Sequence, residues 1–124
     1  MTASLMVEDE YDRYDAVGLA GLIASGELAP AELIETAISR IESRNPKLNA
    51  VISTCFDAAR DSVSRGLPAG PLAGVPYLVK DLNTLLAGVP ATNGSRAFSD
   101  TIPPSDGVLV SRLKAAGLVI LGKT

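Results

Sequence analysis

The 124-residue chain contains no histidine. A Ser–His–Asp triad, a Cys–His dyad and the usual zinc sites are therefore excluded within it. Any general base must be a lysine, a carboxylate or a tyrosine, and a desolvated lysine can serve a serine nucleophile without imidazole. One cysteine, Cys55, is too few for an internal disulfide. Its neighbours point to a small buried hydrophobe rather than a reactive thiol. No apolar run reaches the ~20 residues of a membrane span. There is no basic excess either: the net charge is −3, which argues against nucleic acid or an anionic membrane as partner. The first fifteen residues carry Glu8, Asp9, Glu10, Asp12 and Asp15, so they form neither a signal nor a transit peptide, and a cytoplasmic location is expected. Internal repeats and low-complexity tracts are also missing.

What is present is globular: 47% apolar and 20% charged residues suit a single domain rather than a disordered chain. Residues 1–14 read as an acidic, loosely held tail. Ala16, Leu19, Ala20 and Ile23 then recur at helical spacing, with Asp15 as N-cap and Gly26 after the last turn. Pro30 suits the first position of a second helix, whose apolar face is Leu33, Ile34, Ala37, Ile38 and Ile41. Asn45-Pro46 is expected to stop it. Residues 50–53 form a candidate strand, and Phe56, Ala59 and Val63 lie along a third helix closed by Gly66. The connection from Leu82 to Ser105 is too rich in Pro and Gly for a regular helix, and a loop of that length is usually functional. Ser105 or Asp106 could cap a fourth helix with an apolar face of Val108, Leu109 and Leu113, ended by Gly117. Leu118 to Leu121 is a continuous apolar run, the mark of a strand covered on both faces. The class is α/β.

The chain is organised around Gly70–Asp81. Pro76 has no N–H to donate and suits the first residue of a strand. Tyr77, Leu78 and Val79 continue it, so Lys80 arrives at the end of a rigid, half-buried element. A lysine at a strand end is most often simply solvated. These residues, with Gly88-Val89-Pro90-Ala91-Thr92-Asn93-Gly94-Ser95, Asp106–Thr124 and Asn45-Pro46-Lys47-Leu48-Asn49-Ala50, resemble the amidase signature family. Its members are hydrolases with a Ser–cis-Ser–Lys triad. The Pro-Tyr-Leu-Val-Lys-Asp-Leu form looks like the branch that includes hydrolases of cyclic 6-aminohexanoate dimers.

The resemblance implies the N-terminal part of the amidase-signature fold: a helical hairpin plus the first strands and helices of a mixed central sheet, incomplete. It places the catalytic lysine on Lys80, its amine kept neutral by buried surroundings, and implies a small-molecule amide substrate with no cofactor or metal. A carboxylate beside that amine would favour its charged form, so Asp81 should point away from Lys80. The resemblance makes Ser95 part of a turn, not the nucleophile. It also makes 15–124 the N-terminal part of one domain, truncated before the two catalytic serines, so the chain alone should be inactive. A sheet that ends on its own apolar strand should leave Leu118–Leu121 exposed beside unpaired backbone groups.

Two alternatives belong to other classes. One is an α/β module that docks a partner, or half of a split enzyme completed by a complementary chain. The other is a nucleotide-binding module, because Gly117–Thr124 satisfies G-x-x-x-x-G-K-[ST]. A phosphate-binding loop, however, needs a flexible loop at the x positions and a following helix.

Overall fold

The computed structural model describes residue 6 and residues 8–124. Among these described residues five α-helices and three strands follow in the order α1 (Glu8–Tyr11), α2 (Ala16–Ala24), α3 (Pro30–Leu48), β1 (Ser53–Thr54), α4 (Phe56–Arg65), β2 (Pro76–Val79), α5 (Val108–Ala115) and β3 (Val119–Lys123), with one 3₁₀ turn, Arg96–Phe98, before α5. The sheet order is β1-β3-β2, antiparallel between β1 and β3 and parallel between β2 and β3. The expected α/β layering is therefore present, with a small mixed sheet.

Local signals account for most boundaries. Asp15 accepts from the Gly18 N–H at 2.8 Å, filling one of the donors a helix start leaves open. Pro30 opens α3, and Gly26 and Gly66 take positive φ after α2 and α4. Asn45-Pro46, in contrast, does not stop α3, which continues to Leu48 with Pro46 inside it. The proline costs one intrahelical hydrogen bond close to the end. The Asn45 side chain holds the exit instead, accepting from Ala50 and Val51 N–H, both at 2.9 Å, and donating to the Val51 carbonyl. With those backbone groups engaged, 50–51 cannot pair in a sheet, and β1 begins at Ser53.

The expectations for the described part of the tail and for α5 also need revision; residues 1–5 and 7 of the expected tail lie outside the described residues. Met6 is buried and its N–H donates to Thr36 Oγ1. Tyr11 lies under the Arg40 guanidinium at 4.5 Å, and Arg40 pairs with Asp12 at 2.5 Å. This part of the tail is docked on α3. Helix α5 starts after Gly107 with no side-chain cap, because the Asp106 carboxylate is drawn to the Ala87 N–H and to Lys114. Starting there turns Val108 and Leu109 outward, 71% and 58% exposed, and leaves Val110 and Leu113 to pack inward.

The core has three parts. Leu19, Leu28, Leu33, Val75 and Leu118 gather with Met6 at one end of the sheet. On one face Val119 and Leu121 meet Ile34, Ala37 and Ile38 of α3 and Ala59 of α4. On the other, Ile120 and Val79 meet Leu86 and Val110. Strand β3 is thus the central strand, and the expectation of exposed Leu118–Leu121 is overturned: all four are buried. The error lay in counting strands in chain order. β1 and β2 flank the last strand, so the outer positions fall to them, and Tyr77 on β2 is exposed.

At Gly122 β1 and β3 approach too closely for a side chain, since a Cβ there would lie 2.2 Å from the Ser53 carbonyl oxygen. That neighbour is backbone and cannot swing aside. Gly122→Ala should therefore destabilise the fold by about 1–3 kcal/mol, the usual range for overpacking. A urea midpoint unchanged from the wild type would show that β1 moves aside freely.

Candidate functional site

Parallel pairing with β3 determines how the chain leaves β2. The Thr124 N–H donates to the Val79 carbonyl and the Asp81 N–H donates to the Thr124 carbonyl, both at 2.9 Å. Lys80 is the residue between these two hydrogen bonds. Successive side chains in extended backbone point to opposite sides, and burial follows that rule: Val79 and Asp81 are buried and Lys80 is exposed. The Lys80 amine has no hydrogen-bond or ion-pair partner among the described residues. The buried surroundings that the resemblance implies for this amine do not come from these residues.

Asp81 points away from Lys80, as expected. Its carboxylate accepts from Lys123 Nζ at 3.1 Å, from the Thr92 N–H at 3.1 Å and from the Thr92 hydroxyl. Burial by itself pushes the Asp81 carboxyl up. The Thr92 hydroxyl, the Lys123 ammonium and the Thr92 N–H outweigh it and hold the carboxyl below its ordinary value.

The sign of the pH effect follows. The unfolded aspartate takes up its proton near pH 4, and the folded one does so at lower pH. The stabilisation is complete above the unfolded value and is lost as pH falls through the folded one. Asp81→Asn should be clearly less stable than wild type at pH 7, with the gap closing below about pH 4. Urea unfolding from pH 7 to pH 3 checks this, and a gap that stays constant would contradict it.

The long connection after Lys80 is tied down at both ends. At its start are the Asp81 contacts. At its far end Asp106 accepts from the Ala87 N–H at 2.8 Å and from Lys114 Nζ at 2.6 Å. Between them Asn93 (φ 50°) and Gly94 (φ 75°) make the tight turn that Asn-Gly suggests. Ser95 Oγ accepts from the Ala97 N–H at 3.3 Å and caps the 3₁₀ turn, the structural role expected for it. Cys55 is half-buried and donates to the Ile120 carbonyl. Burial pushes its thiol up, partly offset by Lys114, so it is a poor nucleophile.

Lys123 is the residue that sequence reasoning missed. It is 0% exposed, and its ammonium donates to Asp81, to the Thr84 carbonyl at 2.9 Å and to the Pro90 carbonyl at 3.1 Å. All three ammonium donors are used inside the protein. Three of the four x positions of the Walker-like motif, Val119–Leu121, lie in strand β3, with no loop there to cradle phosphate. Among the described residues no three of His, Cys, Asp and Glu converge to hold a metal ion. No helix among them is long and apolar enough to cross a membrane.

A family model described as Amidase matches residues 32–124. The chain is 45% identical over 118 residues to a glutamyl-tRNA(Gln) amidotransferase subunit of Salinispora tropica, covering 90% of this chain and 24% of that one. It is 40% identical over 112 residues to the 6-aminohexanoate-cyclic-dimer hydrolase of Paenarthrobacter ureafaciens, covering 89% and 22%. A solved 6-aminohexanoate cyclic dimer hydrolase superposes with a TM-score of 0.83 at 39% identity, over 90% of this chain and 23% of its own. The chain spans about a quarter of the length of these relatives.

Proposed function

Because the chain belongs to the amidase family, we propose that it carries the lysine base, Lys80, of an amide hydrolase that works through a Ser–cis-Ser–Lys triad. The observation that supports this best is the setting of Lys80. Its backbone is fixed on both sides by Thr124, its side chain is unpaired among the described residues, and the neighbouring carboxylate is turned to the other side of the strand.

In this reading sequence outside these 124 residues supplies both serines and covers the amine. The nucleophilic serine adds to the amide carbonyl carbon as its proton passes through the cis-serine hydroxyl to the neutral Lys80 Nζ. The C–N bond then breaks, the amine leaves with that proton, and an acyl-ester remains. Water adds to the ester by the same relay, releasing the acid and the serine hydroxyl. Backbone N–H groups stabilise the oxyanion at both stages. The substrate is a linear or cyclic amide. The relatives' names, a cyclic-dimer hydrolase and an amidotransferase, both fit chemistry at an amide carbonyl.

The experiment compares the intact protein that carries this sequence with the 124-residue chain. The intact protein should release amine from linear or cyclic amides, and the chain alone should not exceed background, because in this reading the nucleophile lies outside it. Activity of the chain alone that disappears in Ser95→Ala would overturn the reading and make Ser95 the nucleophile.

A further inference from the structure

We propose that Lys123 is a positioning residue for Lys80, an ammonium tether that fastens the Leu82–Ala91 segment to the central strand and so sets where the base sits. The proposal rests on the function proposed above for Lys80.

The first observation is the direction in which Lys123 points. On β3, Val119 and Leu121 face α3 and α4, and Ile120 faces Leu86 and Val110. Strict alternation would send Lys123 to the α3 side, toward the apolar layer of Ile34, Ala37, Ile38 and Ala59. The register instead shifts by one residue: Tyr77 stands opposite Ile120, and Leu78 opposite Gly122. This bulge turns the last residues of β3 over, as bulges do when they re-aim a side chain. Lys123 then stands opposite Val79 and emerges on the side of the loop. Gly122, at the turned position, has no side chain to place.

The second observation is what the ammonium holds. Its three acceptors come from three points of the segment that follows the base: Asp81 next to Lys80, Thr84 three residues on, and Pro90 at the far end. A fully buried lysine is costly unless its donors are all satisfied. Here they are, and the same hydrogen bonds occupy carbonyls that a loop would otherwise turn to water. Asp81 passes the restraint onward through the N–H and hydroxyl of Thr92. The peptide links on either side of Lys80 are therefore held by Thr124 through the backbone, and the one on the C-terminal side is held a second time, by Lys123 through Asp81.

The test uses the intact protein and two independent readouts in Lys123→Gln. By hydrogen exchange and mass spectrometry, peptides covering Asp81–Thr92 should exchange at least about tenfold faster than wild type, beyond any change in α3 peptides that reports global opening. In amide hydrolysis kcat should fall about tenfold or more with KM nearly unchanged, the mark of a misplaced catalytic group rather than lost substrate binding. Exchange in Asp81–Thr92 no faster than the change in α3 would overturn the tether. Faster exchange with unchanged kcat would overturn the link to Lys80. If Lys123→Gln does not fold, the neutral pair Asp81→Asn with Lys123→Gln replaces it. Wild-type exchange in that variant would overturn the proposal, and fast exchange with reduced kcat would support it. If Lys80→Arg in otherwise wild-type protein keeps its activity, the base assignment fails, whereas the exchange result still decides whether Lys123 tethers the loop.

Discussion

Lys80→Arg is expected to lower kcat of the intact hydrolase by about 10²–10⁴-fold, the range for losing a positioned proton acceptor. Arginine keeps the positive charge and most of the length but does not give up its proton at any accessible pH. Lys80 is exposed at the end of β2, so the larger head group displaces none of the core described above. The loss should appear in kcat rather than KM. Lys80→Ala should lose a similar amount by a different route, since it removes charge and base together. Agreement between the two variants is what separates proton transfer from electrostatics. If Lys80→Arg were active and Lys80→Ala inactive, a fixed cation would suffice and Lys80 would not be a base.

Lys123→Met should produce the largest loss of stability of any single change considered, about 3–5 kcal/mol, the scale for removing one member of a buried ion pair. Methionine fits an apolar space but leaves Asp81 charged without its counter-ion and leaves the Thr84 and Pro90 carbonyls without a donor. Exposed pairs in the same chain behave differently. Arg65 and Asp61, one helical turn apart and both well exposed, are worth less than about 1 kcal/mol. Adding Asp81→Asn to Lys123→Met should restore part of the loss, because the uncompensated charge is gone. Urea unfolding of the four members of this cycle gives the coupling between the two residues. Additive losses would mean that Asp81 and Lys123 do not interact as the geometry requires.

How far the sequence could be read depended on whether the signal was local. Asp15, Pro30, Gly66, Gly117 and the strand opened by Pro76 act within a few residues of themselves, and each took its expected place. Pro46 misled because its effect depends on Asn45, whose side chain secures the helix exit. Asp106 looked like a cap because no local pattern reveals that Ala87 and Lys114 compete for its carboxylate. The order β1-β3-β2 is a long-range property that chain order does not encode. Lys80 stood out through family resemblance, since a lysine at the end of a strand carries little signal of its own. Lys123 was hidden by the Walker-like motif that contains it. An ammonium that closes a buried-strand run is a burial anomaly, and that anomaly was the available clue.

The central claim, that Lys80 acts by accepting a proton, can be tested by replacing the amine with two closely related cations. In a Cys55→Ser background, which keeps a donor toward the Ile120 carbonyl, Lys80→Cys in the intact hydrolase is alkylated either with 2-bromoethylamine or with its trimethylammonium counterpart. The first rebuilds a lysine-like primary amine that can lose and regain a proton. The second carries a permanent charge in nearly the same place. The account predicts that the primary amine restores turnover at least about tenfold over unmodified Lys80→Cys and that the quaternary ammonium restores none. Equal recovery with both cations would contradict it.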